Sequence, residues 1–430
     1  MTGAGAGVPA PRPDDWLFRI LWLLVAVATS FIGVVYQRNN IDSFRIVKLA
    51  LYEAEAIVCL ALILILLLWR KQEVFALLRP HRLPMAIVAA AVLWTGITSL
   101  TSSNRTLSVP AMIWVASCAV VFTATLLVAR LGRGSAIAIL PLIAATINAL
   151  FAIAQRAGWS GPATFNPLTP DRYRISAIIG NPNDLGVYLF LCAVPALALA
   201  VAARGRRQIF NALAALFVIA LLVTQTASAL IAFSAAMLIM IVLLTRRVRV
   251  AAAVLAAAAL VVIAIAPLRN RALSIAGDVR RGSLMAATSY RLPAYAVAWR
   301  IFLDHPLVGS GPGTYGWWYL SEKMRLDHVH PEFELTAENF GEAHNDHLQT
   351  LAVSGIPGYL IFAGALITLG ALSFRRTDDD LRSRFAHAVA LPLAGGFAVV
   401  TLAQFPLELA STASIAIHFA ALGCAWAGER

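Results

Sequence analysis

The chain has 430 residues, of which 60% are hydrophobic and only 13% charged, about half the charged share of a soluble domain. That balance excludes an ordinary water-soluble protein and points to repeated membrane crossings. The formal net charge of +12 does not call for a nucleic-acid partner, because in such a chain basic residues mark the loops on the inner side of the membrane.

Apolar runs follow one another along the chain. Backbone polar groups cannot be left open in hydrocarbon, so these runs must be helices. The pattern predicts about twelve spans, over 16–36, 46–69, 85–100, 109–129, 135–156, 184–203, 209–224, 227–244, 250–266, 345–372, 385–404 and 408–426. The first begins at Trp16, after Arg12, Asp14 and Asp15 and without a small-residue cleavage site, and reads as a retained helix rather than a signal peptide. Every second short loop is basic: Arg70, Lys71, Arg79 and Arg82; Arg130 and Arg133; Arg204, Arg206 and Arg207; Arg246, Arg247 and Arg249; Arg375, Arg376, Arg382 and Arg384. The positive-inside rule puts these loops and both termini in the cytoplasm, and the intervening loops outside. Cys59, Cys118, Cys192 and Cys424 lie within apolar runs and read as small buried residues. Glu53 and Glu55 fall in the second span, as functional candidates or as partners of an outer arginine.

The chain therefore divides into 1–266 (spans one to nine), 267–344 (a large outer loop between spans nine and ten) and 345–430 (the last three spans). A second outer loop covers 157–183. Loops this long need a functional explanation. In the larger one, Leu292 to Phe302 has helical spacing with Pro293 in the first turn, and is expected to lie along the membrane surface. Tyr315, Trp317, Trp318 and Tyr319 read as interfacial anchors. From 267 to 300 the loop carries six arginines and one aspartate, so the arginines either touch lipid headgroups or bind an anionic ligand. Five of the eight histidines lie between 305 and 347: His305, His328, His330, His344 and His347. Histidine suits proton transfer near neutral pH. A zinc site is conceivable on this spacing, but no HExxH-like pattern supports one. Gly309, Gly311 and Gly313 suit a tight turn or a close approach to a diphosphate. Gly355 and Gly358 suit helix packing, and Asn183 or Asp184 a helix N-cap.

His344-Asn345, followed after nine residues by Gly355-Ile356-Pro357-Gly358, resembles the signature of the O-antigen ligase and polymerase superfamily. Pro306 to Gly313 is similar to that family's proline–glycine stretch. Arg291, nine residues before Arg300, stands where the family has an arginine-bearing helix. Arg174 and then Gly180-Asn181-Pro182-Asn183 is like its outer-loop motif. The resemblance spans about 172–372. One departure is that no arginine follows in Thr226-Ala227-Ser228, where many relatives have a Ser-Arg pair.

The resemblance implies an all-α integral membrane protein with a GT-C-like glycosyltransferase fold, in a bacterial inner membrane with its active site facing the periplasm. It implies an O-antigen ligase-type enzyme moving a glycan from undecaprenyl diphosphate to a sugar hydroxyl of lipid A-core. The alternative is a polymerase whose acceptor is a second lipid-linked glycan. No metal or other cofactor is expected; the partners are the two glycan substrates and membrane lipids. His344, Arg291 and Arg174 are implied as catalytic, with Asn345, His347, Arg300, Gly311 and Asn181 binding substrate. If the tenth helix includes His344, His347 lies 60° away on the same side and shares its cavity. A transporter or flippase is the rival class; it usually shows two similar halves, and none are evident.

Overall fold

The computed structural model describes residues 16–37, 42–129, 134–159, 175–264, 266–336, 339–375 and 379–427. Arg174 and most of the loop 157–183 lie outside these residues. Every regular element among the described residues is a helix. The first ten are α1 (Trp16–Ile32), α2 (Arg45–Trp69), α3 (Lys71–Leu78), α4 (Arg82–Leu100), α5 (Arg105–Ala129), α6 (Gly134–Arg156), α7 (Pro182–Ala202), α8 (Arg207–Thr224), α9 (Ala227–Thr245) and α10 (Val248–Ala264). The outer segment holds α11 (Ala266–Arg280), α12 (Leu284–Ala287), α13 (Leu292–Asp304) and α14 (Tyr315–Asp327). Then follow α15 (Asp346–Ala371), α16 (Leu381–Val400) and α17 (Ala410–Ala427).

Ten helices are long and apolar enough to cross a membrane, with α3 and α4 counted as one, and α1 is a shorter apolar helix. Together with the apolar α10, they cover the twelve predicted spans. One boundary differs: the third span extends back to Lys71 through α3 and a 3-10 turn, while α11 is one of the helices held by the long segment 267–344.

The bundle is built around α7, which packs against α6, α8, α9, α16 and α17 and is buried over nearly its whole length. Small residues permit this closeness, as they do between helices in lipid: a Cβ on Gly396 would fall 2.7 Å from the Phe190 ring. Loops predicted to share a side of the membrane meet. Arg204 pairs with Asp379 at 3.0 Å at one end, and Arg45 with Glu342 at 3.5 Å at the other. Glu55 accepts a hydrogen bond from Thr29 at 3.5 Å rather than pairing with an arginine.

Helix α15 is broken at Gly355, whose φ of 65° and ψ of −170° are open essentially only to glycine. The break exposes backbone groups that must be paired in a buried setting. The turn 306–311 supplies partners: Ser310 N donates to Ala352 O (2.9 Å), Gly311 N to Val353 O (3.1 Å), and Pro306 O accepts from Ile356 N (2.9 Å). Trp94 Nε1 donates to Ser354 O at 2.8 Å. The outer segment is thereby fastened to a membrane helix. The segment also has its own core: Ala294, Val297, Ala298 and Ile301 of α13 pack with Tyr315, Tyr319 and Phe340. Two of the four expected interfacial aromatics are therefore core residues; Trp317 stays exposed, and Trp318 donates to Ser103 Oγ. α13 packs on α14 and α15.

Candidate active site

At the end of the bundle that carries the Arg45–Glu342 pair, a cavity of about 960 Å³ opens between the segment 266–344 and the ends of α7, α9 and α16. Its chemistry comes from Arg271, Arg291, His344, Tyr295, Ser228 and Gln404, and no carboxylate among the described residues lines it. Backbone strain gathers here. Six described non-glycine residues have positive φ, and four of them, Gln225, Ser289, Tyr290 and His344, line this cavity. Such conformations cost on the order of 1–3 kcal/mol each and concentrate at functional sites.

His344 itself has φ 53° and lies just before α15, not on it. Asn345 is the N-cap of α15: its Oδ1 accepts from Leu348 N at 3.0 Å, and its Nδ2 donates to Leu402 O at 2.9 Å. Gln349 pins the turn from behind, accepting from Ala343 N (2.7 Å) and donating to Glu408 Oε1 (2.7 Å). The His344 ring sits edge-to-face with Phe340 (5.2 Å) and Phe405 (4.6 Å), contacts worth about 0.5–1.5 kcal/mol each. Its Nδ1 is buried without a hydrogen-bond partner. Burial in this setting, then the charges of Arg291 and Arg45, push His344 down to about 3, so its ring is neutral at pH 7. Burial raises Glu342 against the opposing charge of Arg45. Burial, with the nearby charge of Glu342, raises Glu408 to about 7.

Arg291 precedes α13 and reaches across to donate to Ala403 O at 3.0 Å. Beside it, burial raises the Tyr295 hydroxyl, opposed by the Arg291 charge and a hydrogen bond from that guanidinium. The structure thus brings Arg291 and His344 to one cavity; Arg174 is not among the described residues. The other expected substrate-binding residues stand elsewhere. His347 faces into the bundle, with Nε2 3.0 Å from Thr401 Oγ1 and Nδ1 3.3 Å from Tyr359 Oη; the left-handed turn at His344 ends the helical continuity on which a shared cavity depended. Arg300 pairs with Asp304 at 3.4 Å. Gly311 packs on the α4–α5 connection, where a Cβ would fall 2.1 Å from Ser102 Oγ. Asn181, rather than Asn183 or Asp184, caps α7 by accepting from Asn183 N at 2.8 Å. Asn183 instead lines the cavity.

Sequence reasoning did not single out Arg45, at the start of α2. It lies 5.5 Å over the Phe405 ring that holds His344 and pairs with Glu342 at 3.5 Å and Asp184 at 3.9 Å. Its only sequence signal was a basic residue at the outer end of a span. Among the described residues, no group of three or more His, Cys, Asp or Glu side chains is arranged to hold a metal ion. The four cysteines are free.

The fold and the cavity define a polytopic α-helical membrane protein with a strained, cationic pocket at one end of its bundle. Residues 212–363, from α8 into α15 and including Arg271, Arg291 and His344, match the family described as O-antigen ligase. That match covers about a third of the chain and makes it similar to the O-antigen ligase superfamily, in agreement with the motifs around His344 and Arg291. No curated protein matches the chain.

Proposed function

We propose that the protein is a ligase of this group, transferring a glycan from undecaprenyl diphosphate to a sugar hydroxyl of lipid A-core on the periplasmic face of the inner membrane. The observation that carries this reading is the cavity: among the described residues two arginines and a neutral histidine face it, and no carboxylate does. In the transfer, the bond from the sugar's anomeric carbon to the diphosphate oxygen breaks, and that carbon bonds to the acceptor oxygen. The diphosphate leaves as an anion and needs charge stabilisation rather than a proton. Arg291 supplies it through a planar fork of donors that stays charged at any working pH. The proton of the acceptor hydroxyl goes to the neutral ring of His344, a base contribution of roughly 10²–10⁴-fold. Arg174 is a further candidate for the diphosphate on the family resemblance.

Reconstitution of the purified protein with an undecaprenyl-diphosphate glycan tests the reading. Lipid A-core and a second lipid-linked glycan are offered separately as acceptors, each with and without EDTA. We expect transfer to lipid A-core that survives chelation. Elongation of the lipid-linked glycan alone would make the protein a polymerase. Loss of transfer restored by one divalent ion would overturn the arginine-based account.

A further inference from the structure

Of the six arginines between 267 and 300, the outer segment treats four as surface charges. Arg281 pairs with Asp278 at 2.6 Å and Arg300 with Asp304 at 3.4 Å, while Arg269 and Arg280 are exposed. Arg271 and Arg291 alone of the six line the cavity, and neither has a carboxylate partner among the described residues. Each guanidinium is tethered by neutral oxygens, Arg291 by the Tyr295 hydroxyl as well as by a backbone carbonyl. Arg271 Nη2 donates to Ser289 Oγ at 2.6 Å, and Arg291 Nη1 donates to Ala403 O at 3.0 Å. A neutral acceptor fixes the direction of a guanidinium without cancelling its charge, and leaves most of its five N–H donors free.

We infer that Arg271 and Arg291 form a two-armed clamp in which each arm takes one phosphoryl group of the donor diphosphate. This rests on the reading of the cavity proposed above and adds to it a residue and a preference for two linked phosphates over one. The arms come from opposite walls. Arg271 stands on α11, one turn before Ile275, which lines the same wall; Arg291 stands at the start of α13. Between them runs the left-handed pair Ser289 (φ 55°) and Tyr290 (φ 62°). Ser289 holds Arg271 directly, so the strained turn sets the spacing of the two arms. Two like charges facing one cavity, neither in a salt bridge among the described residues, repel each other, and a bound dianion removes that cost.

The test measures binding of farnesyl diphosphate and farnesyl monophosphate to the detergent-purified full chain by titration calorimetry. Arg271→Gln should weaken diphosphate binding about 10- to 100-fold, the range for a charge-assisted hydrogen bond, and monophosphate binding far less. Arg271→Lys, which keeps charge but not the fork, should fall between. In transfer assays the Gln variant should raise KM for the donor and also lower kcat, because the arm holds the group on which charge develops as the diphosphate leaves. Ser289→Ala, which removes only the tether, should weaken diphosphate binding several-fold less than Arg271→Gln. Leu273→Gln, at an exposed position on the same helix, controls for damage to α11 and should change nothing. If the wild type binds diphosphate and Arg271→Gln binds it equally well, the clamp is wrong while the proposed function stands. If the wild type binds no diphosphate, both fall. Equal weakening toward monophosphate and diphosphate would also overturn the two-phosphate assignment.

Discussion

The depressed His344 predicts an unusual pH profile. Three causes hold the ring neutral: burial between aromatic rings, then the charges of Arg291 and Arg45, and together they bring it to about 3. A bound diphosphate sets opposite charge beside Arg291. An opposite charge within ~4–6 Å raises a titrating base by about 1–3 units, so donor binding should lift His344 to about 4–6. The free enzyme governs kcat/KM and the loaded enzyme governs kcat. The base works only when unprotonated, so each rate falls as pH drops below the relevant pKa. We therefore expect kcat/KM for the donor to show no acid limb from His344 down to about pH 5, and kcat to show one at higher pH. The assay is initial-rate transfer between pH 4.5 and 8.5 with wild type and His344→Asn. Asparagine is chosen because it tolerates the left-handed backbone at 344 better than most residues. It should lower kcat by roughly 10²–10⁴-fold and remove the limb. Glu408, raised to about 7, could add its own limb, and that one would persist in the variant. Coincident limbs for kcat and kcat/KM would refute the coupling to donor. A limb at 6.5 in both would refute the burial, and near-normal transfer by His344→Asn would refute the base. The same depression has a stability consequence. The unfolded chain takes up a proton on this residue below about 6.5 and the folded one does not until about 3, so the contribution is intact above 6.5 and is lost as pH falls through that window.

Gly355→Ala should lower the thermal midpoint in detergent and reduce transfer. Its backbone conformation costs a non-glycine residue about 1–3 kcal/mol, and the new Cβ would lie 2.3 Å from Leu307 O; Gly364→Ala, with nothing within 4 Å, should be silent. A cysteine at exposed Glu334 should react with a membrane-impermeant thiol reagent in intact spheroplasts, and one at Asp379, 75% exposed at the opposite end, should not. The reverse pattern would invert the proposed sidedness. Ser310, on the same outer loop, is unsuited to this because it is buried and bonded to Thr314.

Much of the architecture was legible in the sequence because membrane helices are decided locally. A segment in hydrocarbon must satisfy its own backbone, so hydropathy alone marked out the runs that became the twelve apolar helices. α13 followed from its spacing and Pro293, and His344 and Arg291 from short local motifs. What was missed depended on contacts between segments distant in sequence. The helical phase predicted for His347 assumed a helix running through 344, and the Asn345 cap and left-handed His344 turned the two rings apart. Asn181 and Gly311 looked like binding residues, but one caps α7 and the other packs against Ser102, on a helix connection about 200 residues earlier. Of the six outer arginines, Arg281 and Arg300 pair with aspartates three and four residues away, a local pairing the sequence already held; only the tertiary structure left Arg271 and Arg291 facing a common space. Arg45 entered the site the same way, through Glu342, Asp184 and Phe405 on three other segments. Composition determined which segments are apolar enough to cross the membrane; only the packing of their ends decided that Arg45 meets Glu342 and that Arg271 and Arg291 share a cavity, because those partners are near in space and far apart along the chain.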